Sequence, residues 1–430
     1  MADTYTTADL LALQRDTLGY FVHEVNPANG LVRDSTRYGS PCSIAAVGFA
    51  LSCYPVAVER NVMTRGEAEA RTLSTLRFFN QSPHGPEPDA TGYRGLYYHF
   101  LDMKTGRRVH GSELSTMDTA ILLAGVLTVA AYFDRPARAE REIRDLADAL
   151  YRRADWRWAQ NGRGGVSHGW TPERGFLRYR WAGYNEALLL YVLGLGSPTH
   201  RLSRKSYGAW TRTYRWKRVY GYEFLFSSSL FTHQLSHLWI DFRGIRDAYM
   251  MSKAIDYYEN SRRATYVQQQ YATRNPRDFV GYGPHIWGIT ASDGPGYAVR
   301  TIRGRRRRFY GYMARGVPYG PDDGTLSPWA VVASLPFAPE IVLPSLKAFT
   351  ERYPGTRSAY GFLCSLNPTF PGGAGSRSGW VAKGYYGLDQ GPVVLMIENF
   401  RTGLIWRLMR RCPYLVTGLR RAGFAGGWLG

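Results

Sequence analysis

Apolar residues recur along this chain at spacings of three and four, the signature of helices that bury one face. Leu10, Leu11, Leu13, Leu18, Phe21 and Val22 follow the cap-forming Thr6 and Thr7 and predict a first amphipathic helix. Ser43 to Tyr54 predicts a second, rich in small residues and ended by Pro55, and Thr64 to Phe79 a third. The series continues over 115–133, 136–153, 184–195, 229–240, 244–271, 327–335, 342–353 and 391–411, giving about eleven candidates. Between them lie loops rich in Gly, Pro and aromatics, over 82–109, 159–183, 275–328 and 370–389. In the first of these, Gly95 to Val109 alternates around Lys104-Thr-Gly106 and predicts a β-hairpin. Paired helices with aromatic loops collecting at one end predict an all-α fold. The specific expectation is an (α/α)6 barrel, one domain over 1–430, with the loops and a small β-hairpin region around a cleft. A helical solenoid would need a regular repeat length, and none is visible.

Composition narrows the class. Hydrophobic residues make up 44% and aromatics 14% of the 430 residues, with charged residues at 20%, which excludes a disordered chain. The 31 Tyr and 12 Trp need polar partners as well as burial, and a sugar-lined cleft supplies both. A formal charge of +20 would ordinarily point to nucleic acid or an anionic surface. Here only six basic residues are Lys and 48 are Arg, spread along the whole chain, so much of the charge serves pairing and stacking within the fold. No nucleic-acid partner is expected. The one true run, Arg303 with Arg305 to Arg308, reads as a solvated, Gly-flanked loop, with a polyanion or headgroup contact as the alternative. Cys42, Cys53, Cys364 and Cys412 lack C-x-x-C spacing and read as buried thiols. Ala120 to Phe133 is too short to span a bilayer and reads as a buried helix. The N-terminus shows no basic start and apolar core, so the expected location is cytoplasmic, or periplasmic if an export leader has been removed.

Carboxylates among aromatics and arginines carry the candidate chemistry. Glu186 lies in Arg178-Tyr-Arg-Trp181-Ala-Gly-Tyr184-Asn-Glu186-Ala, where a loop enters an apolar helix. Flat rings stack on sugars, Arg and Asn bind hydroxyls, and apolar neighbours raise a Glu pKa so that it holds a proton. The alternative is a Glu placed near a helix start by the dipole. In Gly111-Ser-Glu113-Leu-Ser115-Thr-Met-Asp118, Ser115 and Asp118 make a capping-box-like start, and Glu113 just before it is held ionised, as suits a base or nucleophile. His233, His237 and Asp241 recur at i, i+4 and i+8 on one predicted helical face. That spacing suits zinc, but the H-E-x-x-H glutamate is missing, no metal is expected, and Trp239 and Arg243 suit a sugar subsite or an ion pair. Asp293, Asp322, Asp323 and Asp389 stand in turn-forming sequences and read as Asx-turn residues that can still face the cleft. The Gly-rich stretch Phe370 to Gly379 has no Gly-Lys-Ser/Thr ending, which argues against a nucleotide cradle.

Taken in order, Glu113-Leu-Ser-Thr-Met-Asp-Thr-Ala, Gly183-Tyr-Asn-Glu186-Ala, His233-x3-His237-x-Trp-Ile-Asp-Phe-Arg243, Gly288-Ile-Thr-Ala-Ser-Asp-Gly-Pro295, Asp323-Gly-Thr and Leu388-Asp-Gln-Gly391 with Ile397-Glu-Asn399 resemble the bacterial glucoamylase-like family. That family includes endo-β-1,2-glucanases and the transglycosylase domain of cyclic β-1,2-glucan synthases. The resemblance covers nearly the whole chain. It implies an (α/α)6 barrel, a β-1,2-linked glucan as partner and no cofactor, with Glu186 as the acid and Glu113 as the second glutamate. Beside these two, Asp118, Trp181, Tyr184, His237, Trp239, Asp241, Arg243, Asp293 and Asp389 are expected to serve as subsite residues. The chain departs from the family where Asp293-Gly-Pro-Gly-Tyr297 is one residue short and an Arg-rich insertion follows. The expected chemistry is cleavage of a β-1,2-glucan, Glu186 protonating the leaving oxygen and Glu113 activating water or attacking the anomeric carbon. Transglycosylation and non-catalytic polysaccharide or polyanion binding are the alternatives. Carboxyl groups about 5 Å apart imply retention, and about 6.5–9.5 Å inversion.

Overall fold

Local signals start the helices where the sequence places them. The computed structural model describes residues 5–372 and 378–430. Thr6 caps Thr7–His23 through a reciprocal box with Asp9, and Thr64 caps Arg65–Gln81 with Glu67 in the same way. Ser115 caps Thr116–Tyr132, its hydroxyl accepting from the Asp118 amide. These caps sit at or within a residue of the expected starts. Helix Arg138–Arg153 and the fully apolar Leu188–Gly196 complete the first half.

Packing overrides local propensity at several points. Pro55 lies inside helix Ile44–Glu59 rather than ending it. The helix is buried on every side over most of its length, and its packing outweighs the one hydrogen bond that Pro removes. A Cβ on Gly48 would stand 2.4 Å from the Ile121 carbonyl oxygen, and one on Gly125 2.2 Å from that of Gly48. Helices 44–59 and 116–132 therefore touch backbone to backbone. The stretch expected as a helix over 244–271 divides into Ala248–Ser252 and Tyr257–Arg274, with Ala254 at φ +57° between them. The one expected over 391–411 divides at Gly403, φ +67°, into Gly387–Arg401 and Leu404–Arg410. Trp156–Ala159, Arg204–Thr211 and Pro413–Ala422 are further helices that periodicity does not mark.

The fold is helix-dominated, with seven small antiparallel sheets confined to the loops among the described residues. One of them positions the site. It orders Gly92–Tyr93, Leu96–Tyr98, Leu114–Ser115, Gly169–Thr171 and Gly175–Phe176 side by side. The expected hairpin is present beside it, closed by the Leu101↔Arg108 bridge and by Asp102 accepting from the Lys104 and Thr105 amides. The arginine run is a second hairpin rather than a loop. Ala298–Ile302 pairs with Arg305–Phe309 across Arg303 and Gly304, both at positive φ, the turn geometry whose twist matches paired strands. The part of the Gly-rich stretch over 373–377 lies outside the described residues. Among those residues no helix is long and apolar enough to cross a membrane.

Candidate active site

A cavity of about 350 Å³ opens among the loops, with Asp34, His99, Phe231, Tyr312, Trp329, Tyr386 and Asp389 on its wall. Asp389 enters it from the first turn of helix Gly387–Arg401. Its Oδ2 is buried without a hydrogen-bond partner, and burial raises the carboxyl well above the ordinary carboxylate range. Asp34 is pushed up to about 6 by burial, with the His99 charge opposing. Asp293 accepts from Tyr386 Oη at 2.6 Å and from Arg37, so its carboxylate is held by neighbouring loops rather than by its own turn.

Strand register brings the next pair together. Tyr98 pairs with Leu114, and the His99 amide donates to the Glu113 carbonyl at 2.9 Å, so the two side chains leave adjacent strands side by side. His99 Nδ1 lies 3.0 Å from Glu113 Oε1 and Nε2 3.8 Å from Asp118 Oδ2, with the ring stacked on Phe100 at 4.0 Å. Burial disfavours charge on this imidazole, but Asp118 and Glu113 outweigh it and hold its pKa at about 9. The reciprocal effect keeps Glu113 ionised: burial raises its carboxyl, and the His99 hydrogen bond and charge bring it below the ordinary value. Asp118 also accepts from the Ser115 hydroxyl.

Glu186 stands in the turn before helix Leu188–Gly196, not inside the helix as periodicity implied. Asn185 Oδ1 accepts from the Ala187 amide, and Ser236 Oγ donates to the Glu186 carbonyl at 3.2 Å, so the backbone on either side of the acid is pinned. Burial raises the Glu186 carboxyl and the Asp118 charge raises it further, its own amide opposing. The Tyr312 hydroxyl, pushed up to about 12 by desolvation and then by Asp389, Glu186, Cys364 and Asp118, marks where these acids converge. Burial and the Asp118 charge thus raise one carboxyl, Glu186, while His99 lowers another, Glu113, a pair of opposite shifts of the kind that acid-assisted bond cleavage uses.

Of the residues singled out from the sequence, the structure gathers Glu113, Asp118, Glu186, Asp293 and Asp389. Trp181 joins them at the edge: its ring stacks on His168 at 3.9 Å, which feels the Glu113 charge, and its Nε1 donates to Thr116 at 3.0 Å. Five others go elsewhere. The segment expected as a helix over 229–240 is two short 3-10 turns, Leu230–His233 and Leu235–Leu238, so His233, His237 and Asp241 do not share a helical face. His237 is buried against Phe242 and Phe337, within 2.9 Å of Ser261 Oγ, and burial pushes it down to about 3. Asp241 takes three hydrogen bonds from Arg243, two from the guanidinium at 2.8 and 2.7 Å and one from the backbone amide at 3.1 Å, and a fourth from Arg410, while Arg243 lies over Trp406. These three, with Tyr184 stacked on Tyr257 and Trp239 fully buried against Phe49, belong to the packing rather than to the cavity wall. Apolar surroundings and internal partners are the physical reason: His237, Tyr184 and Trp239 are buried among rings, and Asp241 is paired with Arg243 and Arg410. Among the described residues no cluster of His, Cys, Asp and Glu is arranged to hold a metal ion.

Trp239 Nε1 donates to Ser52 at 2.9 Å across the core. Trp239→Phe should therefore cost about 1–3 kcal/mol of stability and leave KM within about twofold, which thermal melts beside Michaelis kinetics will check. Asp34, His99, Tyr312 and Tyr386 belong to the site without a sequence signal that singled them out. His99 and Asp34 are found only through strand pairing and burial, which a linear reading does not carry.

Residues 178–413 match the family model Glycoamylase, described as "Putative glucoamylase". An exo β-1,2-glucooligosaccharide sophorohydrolase (non-reducing end) of Parabacteroides distasonis is 27% identical over 460 aligned residues, covering 98% of this chain. This chain spans 59% of that relative's length. A Bacteroides uniformis structure carrying the same "putative glucoamylase" description aligns with TM-score 0.87 at 29% identity over 99% of both chains. An endo-β-1,2-glucanase from Chitinophaga pinensis, in complex with sophorotriose and glucose, aligns with TM-score 0.83 at 25% identity, over 99% of this chain and 100% of that one.

Proposed function

We propose, because this chain belongs to the glucoamylase-like family, that it is a glycoside hydrolase cleaving β-1,2-linked glucan, built as one (α/α)6-barrel catalytic domain over residues 1–430. The observation that supports this reading is the opposite shift of two carboxyls beside Asp118 and His99: Glu186 is raised by burial and by the Asp118 charge, and Glu113 is lowered by the His99 hydrogen bond and charge. Glu186 donates its proton to the glycosidic oxygen as the C1–O bond breaks. Glu113, kept ionised by His99, activates the water that adds to C1 or attacks C1 itself. Asp118 keeps the proton on Glu186 by repelling its negative form. Asp34, Asp293 and Asp389 bind sugar hydroxyls, and Trp181 offers a ring face. The similarity to a sophorohydrolase and to an endo-β-1,2-glucanase supports the linkage.

The test is direct. Purified protein should shorten linear β-1,2-glucan and leave β-1,3- and β-1,4-glucans intact, with the anomer of the first product read by NMR. An α-anomer assigns Glu113 to water activation, and a β-anomer to covalent attack. Absence of cleavage on β-1,2-glucan overturns the proposal.

A further inference from the structure

The arginine-rich hairpin is built onto the wall of the cavity. Ala291 and Ser292 line that wall and pair with Ala314 and Met313. From this root the chain runs out as Ala298–Ile302 and returns as Arg305–Phe309, a ribbon about 17 Å long at the usual rise per residue. Alternation gives it two faces. Phe309 and Arg307 are buried on the inner one, where Arg307 donates to the Arg277 and Asp278 carbonyls and lies over Phe279. Val299, Thr301, Arg306 and Arg308 are exposed on the outer one.

Arg307 shows what a structural arginine does here, and its neighbours do not do it. Arg305 and Arg307 share Asp278 at 3.8 Å. The side chains of Arg300, Arg303, Arg306 and Arg308 are exposed and make no ion pair or hydrogen bond among the described residues. Like charges on neighbouring positions of a two-stranded ribbon repel one another, so the arrangement costs stability that packing does not recover. The cavity wall carries carboxyl groups instead, Asp34, Asp293 and Asp389. Among the described residues an acidic group finds no unpaired cation on that wall and is attracted to the hairpin. Tyr297, exposed at the base of the ribbon, offers a flat face to the sugars between.

We propose that this hairpin is an accessory subsite for carboxylate or phosphate groups carried by the polysaccharide, at a distance from the neutral sugars that occupy the cavity. The proposal rests on the glycosidase reading. It is tested with neutral β-1,2-glucan and the same glucan lightly carboxymethylated, using wild type and a variant with Arg300, Arg303, Arg306 and Arg308 all changed to Gln. At low salt the wild type should show kcat/KM about tenfold higher on the carboxymethylated glucan, a preference lost near 0.5 M salt. The variant should lose the preference, keep the wild-type rate on neutral glucan and melt at the same or a higher temperature. Equal rates of the wild type on both glucans, or a preference that survives in the variant, overturn the proposal and leave the glycosidase reading intact. Binding to anionic phospholipid vesicles without any discrimination between the glucans also overturns it, in favour of a docking surface. If neither glucan is cleaved, the glycosidase reading fails and the subsite falls with it.

Discussion

Glu186→Gln should lower kcat on β-1,2-glucan by about a thousandfold while leaving KM nearly unchanged, within the range typical of losing a general acid. Gln keeps the shape and the polar contacts of the side chain and removes only the transferable proton. A glycoside with a good aryl leaving group needs little protonation, so its cleavage should fall far less, a split that a structural role would not produce. The pH profile supplies a second readout. Glu186 acts protonated and its pKa is raised, so wild-type kcat/KM should fall as pH rises through that raised value. Glu113 acts ionised and its pKa is lowered, so activity should persist to lower pH than an ordinary Glu allows and then fall. The variant should lose the alkaline limb. Stability should move in the other direction. A carboxyl whose folded pKa is raised penalises folding once the pH exceeds its unfolded value, because the fold must bury a charge or take up a proton. Gln removes that penalty, so the variant should be at least as stable as wild type at pH 7–8. Retention of a tenth or more of wild-type kcat would reassign the acid.

What could be read from the sequence follows from how local each signal is. The caps at Thr6, Thr64 and Ser115 and the apolar run after Ser115 are set by residues three or four apart, and the structure places those helices as expected. The segment around Glu186 is local too, since its aromatics and arginines are near neighbours in the chain. The His99–Glu113 contact is not, because it exists through the register of two strands. His233, His237 and Asp241 have helical spacing, yet a spacing of four does not distinguish an α-helix from two tight turns with buried side chains. Pro55 and Gly403 show opposite outcomes of the same competition. Burial on all sides carries a helix through a proline, whereas a glycine that can adopt positive φ lets the chain turn between two helices. The arginine run looked solvated because charge alone says nothing of pairing, and Arg307 became a buried anchor once alternation turned it inward.

Arg315→Met should destabilise the protein by about 3–5 kcal/mol, the largest single effect expected outside the carboxylate cluster. Arg315 is fully buried. Its Nε and Nη2 donate to Asp323 at 2.8 and 2.9 Å, its Nη1 to the Ser292 carbonyl at 2.6 Å, and its Nη2 also to the Gly311 and Tyr310 carbonyls at 3.1 and 3.2 Å. Met fills the volume but leaves the Asp323 charge and these carbonyls without their donor. Much of the cost is therefore the penalty of an uncompensated buried carboxylate. Changing Asp323 to Leu in the same chain should recover part of it, and the lowered urea midpoint of each single variant against the double one measures the coupling. Arg315→Lys separates charge from shape. Lysine keeps the charge but cannot span the carboxylate and the carbonyls with a planar fork. Ser292 forms the cavity wall, and Gly311 and Tyr310 carry Tyr312 into the carboxylate cluster. The Lys variant should thus remain folded with reduced kcat/KM, since loosening this clamp moves the cavity wall that Ser292 and Tyr312 form. If Arg315→Lys keeps full activity, the wall does not depend on the guanidinium fork, and the role of Arg315 is confined to compensating Asp323.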